Sequence, residues 1–270
     1  GAGASAKAIP VVANFNIALK EFRDKLFDQY FQYEATEKHQ NYSSERREEI
    51  LRSSDWKAME DVHPDLKYFA YHTEALLNDL QHHATVDTLA RRYFLSEGVF
   101  FNKLVNLKAL LNIFFLQIQI NSDEKDKRYD SFIATMLERD AGKLSMPPNV
   151  KFVSWNYDLQ LELSLKNYRG KRIKDIQRDF QITPSVFLHK PLEVDLDNFA
   201  VVKLNGTAGI YDRQRDRNTN ELADIDDFYA GHIFPKEMIA LFKELSENRK
   251  TTCLNFFFFF WENYNITRYI

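Results

Sequence analysis

The chain has 270 residues, of which 44% are hydrophobic, so it can bury a sizeable core in one large domain or in a domain that carries a large insertion. Its 36 Lys and Arg residues and 39 Asp and Glu residues give a formal net charge of −3, which leaves no electrostatic footprint for nucleic acid as the main partner. The single cysteine, Cys253, excludes an internal disulfide and any zinc site built on cysteines, and we expect a reducing, cytoplasmic compartment.

Gly and Pro are scarce, which favours long helices, and the first half of the chain has mainly helical patterns. A helix is predicted from about Asn14 to Tyr33, and Ser43, Pro64 and Thr85 each mark the start of another helix. The most apolar segment, Val99 to Ile120, contains Asn, Lys and Gln residues, so we predict a buried helix and no membrane span.

After Pro147 and Pro148, short apolar runs alternate with helical stretches. The predicted strands are Val150–Trp155, Ser185–His189, Phe199–Leu204 and Leu254–Trp261, and the predicted helices are Asp158–Asn167 and Pro235–Asn248. Strands that alternate with helices form parallel sheets, so we predict an α/β fold with a helical block over 43–145. The charged segment Asp212 to Asp227 has no periodicity and is predicted to be a surface loop.

Three short segments carry residues suited to binding a nucleotide. In Gly1–Ser5, small residues would let the backbone approach a pyrophosphate, although such a run also suits a flexible terminus. In Ser154–Asp158, a strand runs into polar residues and then a helix, which is where open α/β sheets bind ligands. In Val202–Gly206, an Asn and a Gly follow another strand.

Structural explanations for the second and third segments stay open. Asp158 can cap the helix that follows it, and Asn156 can form a turn. An Asn-Gly pair after a strand, as in Asn205 and Gly206, is also a common turn.

Taken in order, the three segments resemble the sirtuin family, and most closely the sirtuin-like domains of bacterial anti-phage defence proteins. Those domains also carry an Asp near the start of a helix, which Asp87 resembles. The resemblance implies a Rossmann-like parallel sheet with a large α-helical insertion. It assigns 1–42 and 146–270 to the NAD-binding domain and 43–145 to the insertion, and relative to the family we expect both ends to be clipped.

The resemblance also implies NAD as the substrate, with no metal ion. The pyrophosphate would be held by Gly1, Ala2, Gly3, Ala4 and Ser5, with Asp87, Tyr157 and Gly206 as further NAD-binding residues. Asn156, Asp158 and Asn205 would be the catalytic positions, and Asn156 would orient a water or a ribose hydroxyl. The implied function is an NAD glycohydrolase that cleaves the nicotinamide–ribose bond and depletes NAD during phage infection.

One catalytic position departs from the family pattern. Asn205 stands where the family usually has His, and a carboxamide cannot serve as a general base near neutral pH. Either the reaction needs no base here, another group supplies it, or the protein is inactive; His189 at the end of a neighbouring predicted strand is one candidate, although a structural role suits it better.

Two other functions remain as alternatives. One is a non-catalytic NAD or ADP-ribose sensor that acts as an assembly module, and the other is a protein deacylase. The deacylase is disfavoured because many deacylating sirtuins carry a four-cysteine zinc module, which a chain with one cysteine cannot build. We also expect a homo-oligomer, since the apolar residues of Val99 to Ile120 cover more than one helix face, and by analogy a HerA-type translocase ATPase partner.

Overall fold

The computed structural model describes residues 15–37, 41–52, 60–96, 98, 101–121, 127–140, 143–183, 194–207, 211–216, 219–223 and 235–247. Most of these residues are helical, and they include a small parallel sheet of three strands. Contacts divide them into two units: a helical unit, from residues 15–114 and 235–247, and a strand unit, from residues 115–223. The segment boundaries at 42 and 145 stay predictions.

The described helices are α1 (Phe15–Glu37), α2 (Ser44–Arg52), α3 (Pro64–Gln81), α4 (Val86–Leu95), α5 (Phe101–Asn121), α6 (Lys127–Met136), α7 (Gln160–Arg169), α8 (Ile173–Asp179) and α9 (Pro235–Glu247). The described strands are β1 (Glu138–Asp140), β2 (Lys143–Ser145), β3 (Lys151–Ser154), β4 (Ile182–Thr183), β5 (Ala200–Lys203), β6 (Tyr211–Asp216) and β7 (Thr219–Ala223).

The predicted helix starts are confirmed in the helical unit. Pro64 is the first residue of α3, where its fixed φ suits the helix and its missing N–H costs nothing. Before α4, the Thr85 hydroxyl accepts from the Thr88 N–H at 3.1 Å and the Thr88 hydroxyl accepts from the Thr85 N–H at 3.3 Å, a reciprocal capping box. Ser43 caps α2 by accepting from the Arg46 N–H at 3.2 Å.

Aromatic rings form much of the core of the helical unit. The Phe114 ring lies edge-on to Phe15 and Phe22, at centroid distances of 5.2 and 5.3 Å. Phe69 packs against Phe27 at 5.4 Å and against Phe242 at 5.1 Å. These contacts join α1, α3, α5 and α9 through edge-to-face and tilted pairs, the geometries that aromatic quadrupoles favour.

Helix α5 is buried, as its sequence predicts. From Leu104 to Leu116 every residue is buried except Lys108, which is half-buried. Among the described helices, none combines the length and the apolar character needed to cross a bilayer.

The strand unit is built on a parallel sheet in the order β3-β5-β4. The central strand β5 pairs with β3 from Lys151 opposite Ala200 to Ser154 opposite Lys203. Aliphatic side chains from the sheet and its helices pack together in the core of this unit. The fully buried ones are Ile133, Leu165, Ile176, Ile182 and Val201. The structure confirms the parallel sheet and the predicted strands at 150–155 and 199–204. The predicted strands at 185–189 and 254–261 lie outside the described residues.

The prediction of a surface loop over Asp212 to Asp227 is wrong for the described residues of that segment. β6 and β7 pair antiparallel, with Tyr211 opposite Ala223 and Asp212 opposite Leu222. Nearly every residue in these strands is polar or charged, so no apolar alternation marks them in the sequence, while the backbone hydrogen bonds form without regard to side-chain polarity.

Burial changes the pKa of a histidine in the helical unit. His72 lies on α3 beside Asn106 of α5, with Asn106 Nδ2 2.9 Å from His72 Nδ1. The ring centroid of Tyr68 lies 4.2 Å from that of His72. Burial penalises the charged imidazolium and lowers the pKa of His72 from 6.5 to about 4.

His72 should therefore make the protein less stable in mild acid. Below pH 6.5 the unfolded chain binds a proton at His72, whereas the folded protein binds one only near pH 4. The free energy of unfolding is therefore independent of His72 above pH 6.5 and decreases as the pH falls from 6.5 to about 4. We expect the melting temperature to fall less between pH 7 and pH 5 in His72→Gln, which cannot titrate, than in the wild type. His82→Gln, at an exposed histidine after α3, should behave as the wild type, and equal pH slopes for all three proteins would refute the prediction.

Candidate functional site

Two of the three nucleotide-binding segments meet at one edge of the sheet. β3 and β5 are parallel neighbours in which Ser154 lies opposite Lys203, so both segments leave the sheet at its carboxyl edge. The Leu204 N–H donates to the Ser154 carbonyl at 2.8 Å, and Asn205 Nδ2 donates to the Trp155 carbonyl at 2.8 Å. The structure therefore places the two polar segments side by side, where open α/β sheets bind ligands.

Asn156 forms hydrogen bonds through both its backbone and its side chain. Its backbone N–H donates to Ser154 Oγ at 3.1 Å, which is a local turn contact and agrees with the turn explanation. Its side-chain Nδ2 donates to the Tyr129 hydroxyl of α6 at 2.8 Å. A turn does not need this second contact, which fixes a carboxamide that is only 9% exposed.

Asp158 makes a local contact with the start of the helix that follows it, although the N-cap residue itself is Leu159, which has no side-chain cap. Its Oδ1 accepts from the Gln160 N–H at 2.9 Å, at the first turn of α7. The preceding N–H, that of Leu159, donates to Gln119 Oε1 from α5. The role of this carboxylate beside a ribose stays a prediction.

A buried ion pair lies beneath these segments. Lys203 Nζ lies 2.6 Å from Glu162 Oε1 and donates to the Asp158 carbonyl at 2.5 Å. The two side chains are 2% and 0% exposed. Gln177 Nε2 of α8 also donates to Glu162 Oε1, at 3.2 Å. The pair thus ties the end of β5 to the segment after β3 and to α7.

This ion pair is incompletely satisfied. Among the described residues, the second carboxylate oxygen of Glu162, Oε2, has no hydrogen-bond donor. Burying a charged group is costly unless its partner is close, so Lys203 must compensate most of the desolvation of Glu162.

Sequence reasoning missed Tyr129, Gln119 and Glu162. Glu162 had a visible signal, because it is a charged residue between Leu161 and Leu163 in an otherwise apolar part of α7. Tyr129 and Gln119 carried no signal, since each lies on a distant helix and neither belongs to a motif.

The structure places the remaining predicted residues as follows. Gly206 has a positive φ of 71°, which its lack of a side chain permits. Tyr157 is half-buried, and its ring lies edge-on to Phe115 at 4.5 Å. Asp87 is exposed on the first turn of α4, in the helical unit.

The predicted phosphate loop, comprising Gly1, Ala2, Gly3, Ala4 and Ser5, lies outside the described residues, as does His189. In the part of the chain that the structure describes, no three His, Cys, Asp or Glu side chains cluster in a way that could hold a metal ion.

Removing one partner of the buried pair should be strongly destabilising. Lys203→Met leaves the Glu162 carboxylate buried without its cation, and we expect the free energy of unfolding to fall by about 3–5 kcal/mol. Urea unfolding followed by circular dichroism measures this loss. The double variant Lys203→Met, Glu162→Leu should recover most of it, because neither charge is then buried.

A surface pair provides the matched control. Lys171 lies 2.5 Å from Asp179, but the two side chains are 43% and 20% exposed. We expect Lys171→Met to cost at most about 1 kcal/mol. If Lys203→Met cost no more than Lys171→Met, the buried pair would not have the structural importance described above.

Comparisons of the chain with protein-family models, with curated proteins and with solved structures find no match. The resemblance to sirtuin-like domains therefore rests on the sequence segments, and the geometry at the carboxyl edge of the sheet is the basis for a functional proposal.

Proposed function

We propose that the chain is an NAD glycohydrolase with a Rossmann-like, sirtuin-type site. The observation that carries this proposal is the meeting of Asn156 and Asn205 at the carboxyl edge of β3 and β5, joined by the 2.8 Å bond from Asn205 to the Trp155 carbonyl. Two motif segments about fifty residues apart come together there, at the edge where open α/β sheets bind ligands.

The chemistry proposed for this edge is hydrolysis of an N-glycosidic bond. The bond between ribose C1′ and the nicotinamide nitrogen breaks, and its electron pair leaves with nicotinamide. Positive charge builds on the ribose, by analogy with the oxocarbenium-like states of glycoside hydrolysis. A water then adds to C1′ and loses a proton, which yields ADP-ribose. Asn156 supports this step by orienting the water or a ribose hydroxyl in attack geometry.

Asn205 acts in this proposal through structure and not as a base. A carboxamide cannot accept the proton of the attacking water near neutral pH. Its Nδ2 instead donates to the Trp155 carbonyl, one residue before Asn156. Asn205 thus anchors the segment that carries Asn156, and hydrolysis proceeds without a general base at position 205.

The same contact also favours the second candidate, a non-catalytic NAD or ADP-ribose sensor. A site that only binds needs the segment after β3 to be held in place, and the Asn205 contact does this without any basic group. NAD depletion in anti-phage defence, a cytoplasmic location, a homo-oligomer and a translocase ATPase partner are further proposals that depend on the family resemblance alone.

The role of Asn156 can be tested by truncation. Asn156→Ala should reduce nicotinamide release from NAD by about 100-fold or more, because the attacking group is no longer held in geometry. The melting temperature should change little, since one hydrogen bond contributes only about 1 kcal/mol. Asn149→Ala, at the exposed turn before the opposite end of β3, serves as the control and should keep full activity. A loss of activity that came with a large loss of stability would support the turn explanation instead.

Asn205→His tests whether a base is lacking. If hydrolysis uses a water held by Asn156, nicotinamide release should not rise in this variant, and it should fall if the imidazole does not replace the hydrogen bond to the Trp155 carbonyl. A positioned base contributes about 10²–10⁴-fold, so a rise of that size would show that the base-independent mechanism is wrong. If calorimetry shows that the wild type binds NAD, but neither the wild type nor Asn205→His releases nicotinamide, the sensor function would be favoured.

A further inference from the structure

Tyr129 lies outside the two motif segments, yet it forms a hydrogen bond with the side chain of Asn156. Its hydroxyl accepts from Asn156 Nδ2 at 2.8 Å, across 27 residues of sequence. Its ring is half-buried and packs against the aliphatic core of the strand unit. Packing alone would be served as well by Phe at this position, so the hydroxyl contributes through its hydrogen bond.

Helix α6 holds Tyr129 at a defined place relative to β3 and α7. The Phe132 ring lies edge-on to Phe152 of β3, at a centroid distance of 4.8 Å. The hydroxyl of Tyr168 on α7 donates to the Asp130 carbonyl at 3.2 Å. Ile133 is fully buried in the same core. The Tyr129 hydroxyl is thus a rigidly supported acceptor beside the end of β3.

We propose that Tyr129 is a positioning residue that fixes the orientation of the Asn156 carboxamide. This inference rests on the proposed NAD glycohydrolase function. A carboxamide has a donor end and an acceptor end, and a half-turn about its last torsion exchanges them. In the structure the bond from Nδ2 to the Tyr129 hydroxyl holds the carboxamide in one orientation, in which Oδ1 is the end proposed to accept a hydrogen bond from the attacking water or a ribose hydroxyl. Without Tyr129, the carboxamide can turn its donor end to that water and lose the geometry for attack.

The kinetic test removes only the hydroxyl. Tyr129→Phe should lower kcat for nicotinamide release by about 10- to 100-fold, the cost of a misplaced catalytic group, while KM for NAD and the melting temperature stay close to those of the wild type. Tyr168→Phe is the matched control, because it also removes a tyrosine hydroxyl that bonds to α6, but this hydroxyl binds the Asp130 carbonyl and not Asn156. An unchanged kcat in Tyr129→Phe, or an equal loss in Tyr168→Phe, would overturn the inference.

A second measurement separates this inference from the proposed function. In ¹⁵N-labelled protein, the side-chain amide signal of Asn156 is assigned by its loss in Asn156→Ala. Loss of a hydrogen bond of about 1 kcal/mol should make these amide protons exchange with water about fivefold faster in Tyr129→Phe, and not in Tyr168→Phe. Wild-type protein that released no nicotinamide would contradict the proposed function. The amide exchange would still decide whether Tyr129 holds the carboxamide, and unchanged exchange in Tyr129→Phe would overturn that.

Discussion

The buried ion pair of Lys203 and Glu162 is the interaction on which the candidate site depends. Lys203 ends the central strand, and its ammonium reaches both the Glu162 carboxylate and the Asp158 carbonyl. A buried cation with two fixed acceptors leaves the intervening backbone little freedom. The segment that carries Asn156 is therefore held by the Lys203 ammonium at the Asp158 carbonyl and by the Asn205 carboxamide at the Trp155 carbonyl.

Polar side chains around this segment fall into two groups. Lys203, Asn205 and Gln119 bind backbone atoms and so fix the path of the chain. Tyr129 binds a side-chain atom and so fixes the direction in which Asn156 presents its amide. The first group would be needed by any ligand site at this edge, whether it binds or reacts. The orientation of this amide is the property on which the proposed role of Tyr129 depends.

The sequence was informative where structure is determined locally. Helix starts at Ser43, Pro64 and Thr85 depend on contacts within three or four residues, and the structure confirms them. The β6–β7 hairpin was missed because its polar residues give no apolar period. The strand β4 was missed because two residues, Ile182 and Thr183, are too short to form a pattern.

The site itself was predictable only in part. Parallel pairing of two predicted strands is enough to bring Asn156 and Asn205 to one edge. The partners of that edge were not visible in advance, because Gln119 and Tyr129 lie 40 and 27 residues before the atoms they bind, and hydrogen bonds at such separations leave no periodic trace.

The separation of these contacts along the chain also bears on how the protein folds. Lys203 binds the carbonyl of a residue 45 positions earlier, so this contact can form only once β5 has docked. Closing such long loops costs chain entropy before any contact repays it, and non-local pairing is slow for that reason. Helices α6 and α7 can begin to form from local contacts, whereas the carboxyl edge of the sheet can become ordered only with the central strand. The candidate site is thus expected to be among the last parts of the strand unit to reach its native shape, and a chain released before β5 is made would leave Glu162 as an unpaired charge.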